Sequence, residues 1–353
     1  MIADKGPILE VEDLRTQFSL PQGTVRSVDG ASLSVAQGET VGIVGESGCG
    51  KSVLLRSILR IVPRPGKVVD GAIRWRRKDD TVVDLATLPG DGREIRMIRG
   101  GEIAMIFQEP MSSLSPVHTI GDQIVEAIML RGNTTPEQAW VRAVETLARV
   151  AMPRPEMIAR QYPHELSGGM RQRAMIAMAL SCDPRLLMAD EPTTALDVTT
   201  QAQILALMRR LQREAGMAIL FVTHDLGVVA QMTERVVVMY LGKVVEAGPV
   251  GDIFAAPLHP YTHALLHSIP RFGLRQKGER LAAIPGSIPD PYSVPRGCAF
   301  HARCRFDDKR RCRSEVPALR EIAPGRMVRC HRAEELGLSG MSMPEPSPAL
   351  AHP

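Results

Sequence analysis

The first 255 residues combine two patterns of apolar and polar positions. Residues 8–40 alternate apolar with polar side chains between turn residues, which is typical of an antiparallel sheet. Thr40 to Val44 form a short apolar run that predicts a buried parallel strand, and residues 53–60 carry their apolar side chains on one stripe of a helix. Residues 68–83 predict a second hairpin.

The strand and helix patterns then alternate. Strands are predicted at 102–107, 185–189 and 217–222, and the stretch from about 120 to 157 has a helical pattern. Because strands that alternate with helices form parallel sheets, we predict an α/β fold. In this fold a parallel sheet is flanked by helices and carries an antiparallel β subdomain and a helical insertion at about 113–165.

A phosphate loop lies between the first buried strand and the helix that follows it. It has the spacing G-x-x-x-x-G-K-[ST], in which the glycines turn successive backbone N–H groups toward a bound anion. The lysine reaches the β- and γ-phosphates, and the last hydroxyl binds Mg²⁺. A Gly-rich turn that matches by chance is the alternative. The predicted nucleotide-binding residues are Gly45, Glu46, Ser47, Gly48, Cys49, Gly50, Lys51 and Ser52.

Polar residues follow three later strands, at the edge of the sheet where nucleotide-binding crevices open. Gln108 is expected to bind Mg²⁺ or to orient the attacking water, and Asp190 is expected to hold Mg²⁺ together with Ser52. Glu191 is placed to polarise the water that attacks the γ-phosphate, and His224 to hydrogen-bond that phosphate. The alternatives are an exposed acidic pair at a helix start and a structural histidine.

Two further features complete the predicted ATP site. Ser167, Gly168 and Gly169 precede a helical run, so their backbone forms a second, smaller anion site at a helix N-terminus. Phe18 is the only aromatic residue before the phosphate loop, which makes it a candidate for stacking on the adenine ring. A place in the hydrophobic core explains Phe18 equally well.

The composition is that of a globular protein outside the bilayer. The chain has 353 residues, of which 44% are hydrophobic and 23% are charged. No apolar run approaches the roughly 20 residues needed to span a bilayer, and residues 1–7 lack the apolar segment of a signal peptide. We therefore expect a cytosolic protein. The net charge of +4 is too small to indicate nucleic-acid binding.

The positive charge is concentrated where the cysteines are. Residues 296–332 contain eleven Arg or Lys and four Asp or Glu. In a reducing compartment, clustered cysteines indicate a metal site more than disulfides. The four candidate ligands are Cys298, Cys304, Cys312 and Cys330.

Four thiolates bind either a tetrahedral Zn²⁺ or a [4Fe–4S] cluster. Zinc sites usually contain close cysteine pairs, and the spacing here is looser, so we favour the cluster and keep zinc and an unliganded set as alternatives. A cluster with four thiolates is negatively charged, and nearby arginines are expected to offset that charge. These arginines are Arg303, Arg305, Arg311, Arg313 and Arg329. A structural role for the metal is the simplest interpretation.

Together these motifs resemble the ATP-binding subunit of an ABC transporter. The phosphate loop, Gln108, the Leu166–Met170 signature, Asp190-Glu191 and His224 occur in that family's order, and the resemblance covers about residues 8–255. It implies that two cassettes close head to tail, so that Ser167 and Gly169 serve the partner's ATP. Two residues depart from the common pattern. Met170 replaces Gln. Cys49 replaces Ser and is expected to supply only a small side chain; the alternative is a reactive thiol whose pKa is lowered beside the anion nest.

The remaining sequence resembles one branch of this family, the oligopeptide and dipeptide importers. Residues 108–116 and 259–266 carry that resemblance. Longer ATPase subunits of the branch have a C-terminal extension with four cysteines, and the resemblance implies an iron–sulfur cluster there. We expect a nucleotide-binding domain at 1–255, an irregular cysteine-rich extension at 256–335 and a disordered tail at 336–353.

The resemblance implies an ATPase on the cytoplasmic face of the inner membrane that powers import of peptides or a related small solute. Its implied partners are a second ATPase subunit, two permeases and an extracytoplasmic solute-binding protein. Glu191 would be the catalytic base. The alternative is a soluble ABC ATPase that acts on nucleic acid through its basic cysteine segment. The sequence identifies neither the solute nor the choice between like and unlike cassette partners.

Overall fold

The computed structural model describes residues 6–109, 113–131, 134–194, 196–268 and 284–343. The strands are β1 Leu9–Leu20, β2 Gly23–Val35, β3 Thr40–Val44, β4 Gly66–Arg76, β5 Val82–Asp84, β6 Ile103–Ile106, β7 Leu186–Asp190, β8 Ala218–Val222, β9 Arg235–Tyr240, β10 Lys243–Pro249, β11 Arg320–Ala323 and β12 Arg326–Val328. The helices are α1 Lys51–Ile58, α2 Arg93–Ile98, α3 Ile120–Met129, α4 Pro136–Arg149, α5 Pro155–Ala159, α6 Gly168–Leu180, α7 Val198–Ala215, α8 Leu226–Met232, α9 Val250–Ala255, α10 Pro260–His267 and α11 Arg311–Ser314.

The main sheet has the order β11-β12-β10-β9-β3-β8-β7-β6. Strands β6, β7, β8, β3 and β9 run parallel, whereas β10 and β12 continue the sheet in antiparallel pairings. Every residue of β3, β7 and β8 is buried, as expected for parallel strands covered on both faces. The α/β fold with a parallel sheet is therefore confirmed.

A second, antiparallel sheet has the order β2-β1-β4-β5. Its hairpins confirm the two regions of alternating pattern. Leu14 and Trp75 of this sheet share one hydrophobic core with Val41 and Ile43 of the main sheet. Lys243 in β10 also donates a 2.6 Å hydrogen bond to the carboxylate of Asp29 in β2. The antiparallel sheet is thus fixed against the strand that carries the phosphate loop.

Helices α3, α4 and α5 pack together and against α6 over a separate core. In α4, Ala139, Ala143 and Leu147 recur every four residues and are fully buried, which confirms the helical pattern of this region. The helix begins after Thr135, whose side chain accepts a hydrogen bond from the backbone N–H of Gln138. Within the described residues, no helix is both long and apolar enough to cross a membrane.

The residues after 255 pack onto the cassette and extend its sheet. Strand β12 pairs with β10, with Val328 opposite Glu246, and β11 pairs with β12. Much of the extension is irregular, as predicted, but the sequence pattern did not indicate this hairpin. Gly340 and Met341 donate backbone hydrogen bonds to residues of α9; residues 344–353 of the expected disordered tail lie outside the described residues.

Candidate functional site

The phosphate loop occupies the turn between β3 and α1. Gly45, Gly48 and Gly50 all have positive φ angles, of 152°, 77° and 103°. A Cβ on Gly45 would lie 2.2 Å from the carbonyl oxygen of Met239, and one on Gly50 would lie 2.1 Å from that of Ser27. Glycine is required at these two positions because the loop touches the backbone of β9 at Gly45 and that of β2 at Gly50.

Lys51 points back over this loop. Its ammonium group is buried and donates hydrogen bonds to the carbonyl oxygens of Gly45 at 2.8 Å and Glu46 at 3.2 Å. Both acceptors belong to the turn that would surround an anion. The lysine is therefore held at the mouth of the backbone nest by weakly basic oxygens that phosphate oxygens can replace.

Ser52 and Asp190 bring two oxygen ligands together. The hydroxyl of Ser52, in the first turn of α1, donates a 2.9 Å hydrogen bond to the carboxylate at the end of β7. Asp190 is 1% exposed, and burial raises its pKa against the opposing effects of the Ser52 hydrogen bond and the Arg56 charge. A hydroxyl and a buried carboxylate are the hard oxygen donors that suit Mg²⁺.

Glu191 is the point at which the other predicted catalytic residues meet. Gln108 donates its amide N–H to Oε2 of Glu191 at 3.3 Å, and Nδ1 of His224 lies 3.3 Å from the same oxygen. The hydroxyl of Thr194 also donates to this oxygen, at 3.0 Å. Glu191 itself has a φ of 47°, a left-handed conformation that is costly for a side chain with a Cβ.

The structure therefore brings Gln108, Glu191 and His224 together, and it brings Ser52 and Asp190 together. Gln108 contacts the carboxylate of Glu191 rather than the Ser52–Asp190 pair in this arrangement. Thr194 was not singled out from the sequence. Its position three residues after Glu191 could have indicated the contact, because a hydroxyl at this separation can turn back to bond the carboxylate.

The signature residues lie apart from the loop that Lys51 follows. Ser167 caps α6 by accepting a hydrogen bond from the N–H of Met170, and Ser167 and Gly168 are exposed. A Cβ on Gly169 would lie 2.8 Å from the side chain of Thr200 in α7. The described hydrogen bonds and ion pairs include none between Ser167–Gly169 and the phosphate loop.

Phe18 is half-buried near the end of β1. Its ring packs against Gly66, where a Cβ would come within 2.5 Å of it, and its backbone pairs with Val25 of β2. Strand β2 touches the phosphate loop two residues later, at Ser27. Both interpretations of Phe18, adenine stacking and core packing, are compatible with this position.

Of the two interpretations of Cys49, the structure favours the small packing side chain and contradicts the reactive thiol. The thiol is 5% exposed and faces the side of the loop that packs on the core. Burial raises the pKa of Cys49 and outweighs the nearby Lys51 charge. Cys49 is consequently a small, inert packing residue, because burial disfavours the thiolate form by more than the adjacent positive charge favours it.

Two residues beyond 255 also contact the phosphate loop. The hydroxyl of Tyr261 accepts a 2.9 Å hydrogen bond from the backbone N–H of Glu46, and the guanidinium of Arg303 binds the Glu46 carboxylate at 2.7 and 3.0 Å. The sequence pattern assigns neither residue to this site. Tyr261 and Arg303 lie 215 and 257 positions from Glu46, and no local pattern indicates such a contact.

The four cysteines of the extension line one small cavity. All six cysteines lie in the described residues, and none forms a disulfide. Burial raises the pKa of the Cys304 thiol to about 12 and that of Cys330 to about 11, and the neighbouring thiols add to both shifts. The four thiols therefore share one cavity, which Arg332 also lines.

The spacing of these sulfur atoms bears on the choice of metal. Zinc–sulfur bonds of about 2.3 Å in a tetrahedron hold the sulfur atoms roughly 3.8 Å apart. Among the described residues, no three of the four cysteine sulfurs lie within 4.8 Å of one another. A [4Fe–4S] core needs wider spacing because each thiolate binds a different iron.

The expectation that arginines surround the cysteines needs correction. Arg303 binds Glu46, Arg311 pairs with Glu315, and Arg313 pairs with Asp307. These three guanidinium groups are thus engaged by carboxylates of the protein. Of the five arginines, Arg329 interacts electrostatically with Cys298, while it donates hydrogen bonds to carbonyl oxygens of the cassette.

Comparison with protein families gives two matches along the chain. Residues 28–194 match the family described as ABC transporter. Residues 245–312 match the family described as oligopeptide/dipeptide transporter, C-terminal region. The second match ends at Cys312 and so includes three of the four cysteines.

Similar proteins match over most of the chain. A putative peptide import ATP-binding protein of Brucella abortus is 51% identical over 335 residues, which cover 94% of this chain and 98% of that protein. The dipeptide transport ATP-binding protein DppD of Escherichia coli is 46% identical, with 92% and 96% covered. A solved dimeric ATP-binding cassette with bound ADP and phosphate is 29% identical, with a TM-score of 0.59 over 69% of this chain and 98% of that one.

Proposed function

The chain belongs to the ATP-binding subunits of ABC transporters of the oligopeptide and dipeptide importer type, and on this basis we propose how its residues couple ATP hydrolysis to import. The protein is an ATPase, and its hydrolysis of ATP drives peptide transport. The observation that carries the assignment of residues is the convergence of Gln108, His224 and Thr194 on one oxygen of Glu191.

Lys51 and the loop amides bind the triphosphate. The lysine exchanges its two carbonyl acceptors for the β- and γ-phosphate oxygens, and the inward N–H groups of the loop stabilise the same anion. Ser52 and Asp190 would hold Mg²⁺, which when bound neutralises phosphate charge. Because Asp190 is buried, it gains most from a cation and is ionised when the site is filled.

Glu191 acts as the general base toward the attacking water. Its carboxylate is 15% exposed, so it reaches the crevice while remaining held by the protein. His224, whose side chain is 65% exposed, bonds the γ-phosphate and transmits its presence to Glu191. Gln108 orients the water, and Ser167, Gly168 and Gly169 serve the ATP of the partner cassette.

The substitution Glu191→Gln tests this role. The variant is expected to bind ATP normally and to hydrolyse it about 10²- to 10³-fold more slowly, because it keeps the shape of the side chain and loses the base. Glu214→Gln, at an exposed carboxylate in α7, is the matched control and should keep wild-type turnover. Normal hydrolysis by Glu191→Gln would remove Glu191 from the role of base.

We infer a [4Fe–4S] cluster on Cys298, Cys304, Cys312 and Cys330. Their common cavity supports one shared ligand, and no three of these described sulfur atoms lie within 4.8 Å of one another, which is less close than a tetrahedral zinc site holds them. Protein purified without oxygen is expected to contain about four irons per chain and to absorb broadly in the blue. One zinc per chain and no colour would overturn the cluster.

The family also suggests with which proteins this chain forms a complex. We propose a peripheral position on the cytoplasmic face of the inner membrane, with a second ATPase subunit, two permeases and a solute-binding protein as partners. The helices within residues 113–165 would contact the permeases, the nucleotide-binding domain would be residues 1–255, and the cysteine extension residues 256–335. Because the relatives above are transport proteins, the nucleic-acid alternative has no support.

A further inference from the structure

The cysteine-bearing extension reaches into the phosphate loop at Glu46, the second residue of that loop. Both nitrogens at the end of Arg303 donate to this carboxylate, one to each oxygen, at 2.7 and 3.0 Å. Two parallel hydrogen bonds between planar charged groups form the strongest common type of ion pair. Arg303 directly precedes Cys304, so this contact joins the cysteine segment to the nucleotide site.

Residues other than Glu46 also hold the guanidinium of Arg303 in place. Its Nε donates to the carbonyl oxygen of Pro285 at 3.0 Å, and a terminal nitrogen lies 3.4 Å from the hydroxyl of Tyr240. The guanidinium also lies 5.8 Å from the ring centre of Tyr240 and 6.0 Å from that of Phe300. Its side chain is 4% exposed. A buried arginine with this many fixed contacts differs from an ordinary surface ion pair, which contributes little.

The position of Glu46 makes its charge important. A carboxylate in a loop that wraps a triphosphate repels the bound ligand unless a cation compensates it. Lys51 binds the backbone oxygen of Glu46, whereas Arg303 binds both carboxylate oxygens. The loop, Arg303 and His224 also line one open cleft of about 1470 Å³.

We propose that Arg303 is a positioning residue of the ATP site, which neutralises Glu46 and holds its carboxylate away from the phosphates. The affinity for ATP is then set in part by a residue of the cysteine-bearing extension. This inference rests on the proposed role of the phosphate loop. A purely structural Arg303 would instead anchor the extension and leave ATP affinity unchanged once the protein is folded.

A double-mutant cycle on Arg303 and Glu46 separates the positioning role of Arg303 from a purely structural one. Arg303→Gln leaves Glu46 uncompensated, and the Kd for a non-hydrolysable ATP analogue with Mg²⁺ should rise about tenfold. Glu46→Gln keeps the backbone N–H of the loop and removes the negative charge, so it should bind the analogue more tightly than the wild type. The double variant Glu46→Gln with Arg303→Gln should return to within about twofold of the wild-type Kd, because the repulsive charge is gone.

Arg326→Gln is the matched control. Arg326 lies in the same extension and pairs at 3.1 Å with Glu246, which is fully buried, but it has no described contact with the phosphate loop. This variant should lower the melting temperature without changing the Kd. Arg303→Lys keeps the charge but loses the planar fork that holds both carboxylate oxygens, so its Kd should rise about threefold, whereas a purely structural Arg303 predicts no change; this preserves the test if Arg303→Gln does not fold.

The Kd is measured by calorimetric titration of the purified full chain, with the melting temperature of each variant. Three outcomes would each overturn the role of Arg303 while the wild type still bound ATP. The Kd of Arg303→Gln could be unchanged, the Kd of the double variant could rise as much as that of Arg303→Gln, or Glu46→Gln alone could weaken binding. Failure of the wild type itself to bind would overturn the ATP site as well.

Discussion

At the scale of single residues, Gly50 and Gly48 offer a matched comparison within the phosphate loop. Both have positive φ angles, but a Cβ on Gly50 would meet a backbone oxygen at 2.1 Å, whereas one on Gly48 meets no atom within 4 Å. Gly48→Ala should therefore cost about 1–2 kcal/mol of unfolding free energy, the ordinary cost of a left-handed alanine. Gly50→Ala should cost about 3 kcal/mol or more.

Urea unfolding of both variants, followed by far-ultraviolet circular dichroism, measures this difference. Equal losses would mean that the loop can move away from β2, and the close approach of the two backbones would then not constrain it.

The sequence identifies the polar residues of the site well and their distant neighbours poorly. Lys51 and Ser52 follow Gly50 directly, so the spacing of the motif alone determines how they face the loop. Tyr261 and Arg303 reach the same loop only through the folding of the whole chain. Cys49 shows what sequence spacing cannot decide: its neighbours in sequence allow either a small packing side chain or a reactive thiol, and burial, which spacing does not report, raises its pKa.

At the scale of elements, helix α4 tests whether local signals contribute to stability. Thr135 and Gln138 exchange side-chain to backbone hydrogen bonds of 3.3 and 3.2 Å at the start of the helix. Thr135→Ala should lower the free energy of unfolding by about 1 kcal/mol, because it leaves backbone N–H groups without a partner. Thr135→Ser keeps the hydroxyl and should be nearly neutral.

Denaturant unfolding of both variants provides the measurement. A loss in Thr135→Ser as large as that in Thr135→Ala would contradict the capping role and assign the effect to the methyl group.

Long or apolar elements were predictable, whereas the short, partly exposed strands of the extension were not. Strands β3, β7 and β8 are buried on both faces, so their composition alone indicates them. Strands β11 and β12 have four and three residues, with mixed exposure, and they exist because β10 offers an unpaired edge. A segment that becomes a strand only through its partner carries no pattern of its own.

At the scale of the whole molecule, the two sheets are joined by a charge pair. Lys243 in β10 binds the carboxylate of Asp29 in β2 at 2.6 Å. Burial opposes the ionisation of Asp29, but the Lys243 hydrogen bond and the Lys243 and Arg15 charges outweigh it, so the pKa of Asp29 is lowered. A lowered folded-state pKa stabilises the protein above the ordinary value of 3.8, and this contribution is lost as the pH falls further.

Asp29→Asn should therefore melt at a lower temperature than the wild type at pH 7, and the difference should narrow as the pH falls from 4 toward 3. Asp70→Asn, at a side chain that is 67% exposed on the same sheet, is the control and should change the melting temperature little at either pH. A difference in melting temperature that stays constant with pH would mean that Asp29→Asn acts through side-chain packing and not through the lost charge.

The order of strands in the main sheet has a consequence for synthesis on the ribosome. Strand β3 carries the phosphate loop, but its two neighbours, β8 and β9, are made from residues 218–240. The antiparallel sheet can form from the first 84 residues, whereas β3 has no partner until most of the cassette has emerged. Such long-range pairing makes folding slow, and it keeps a partly made chain from presenting an ATP site before the residues that hydrolyse ATP exist.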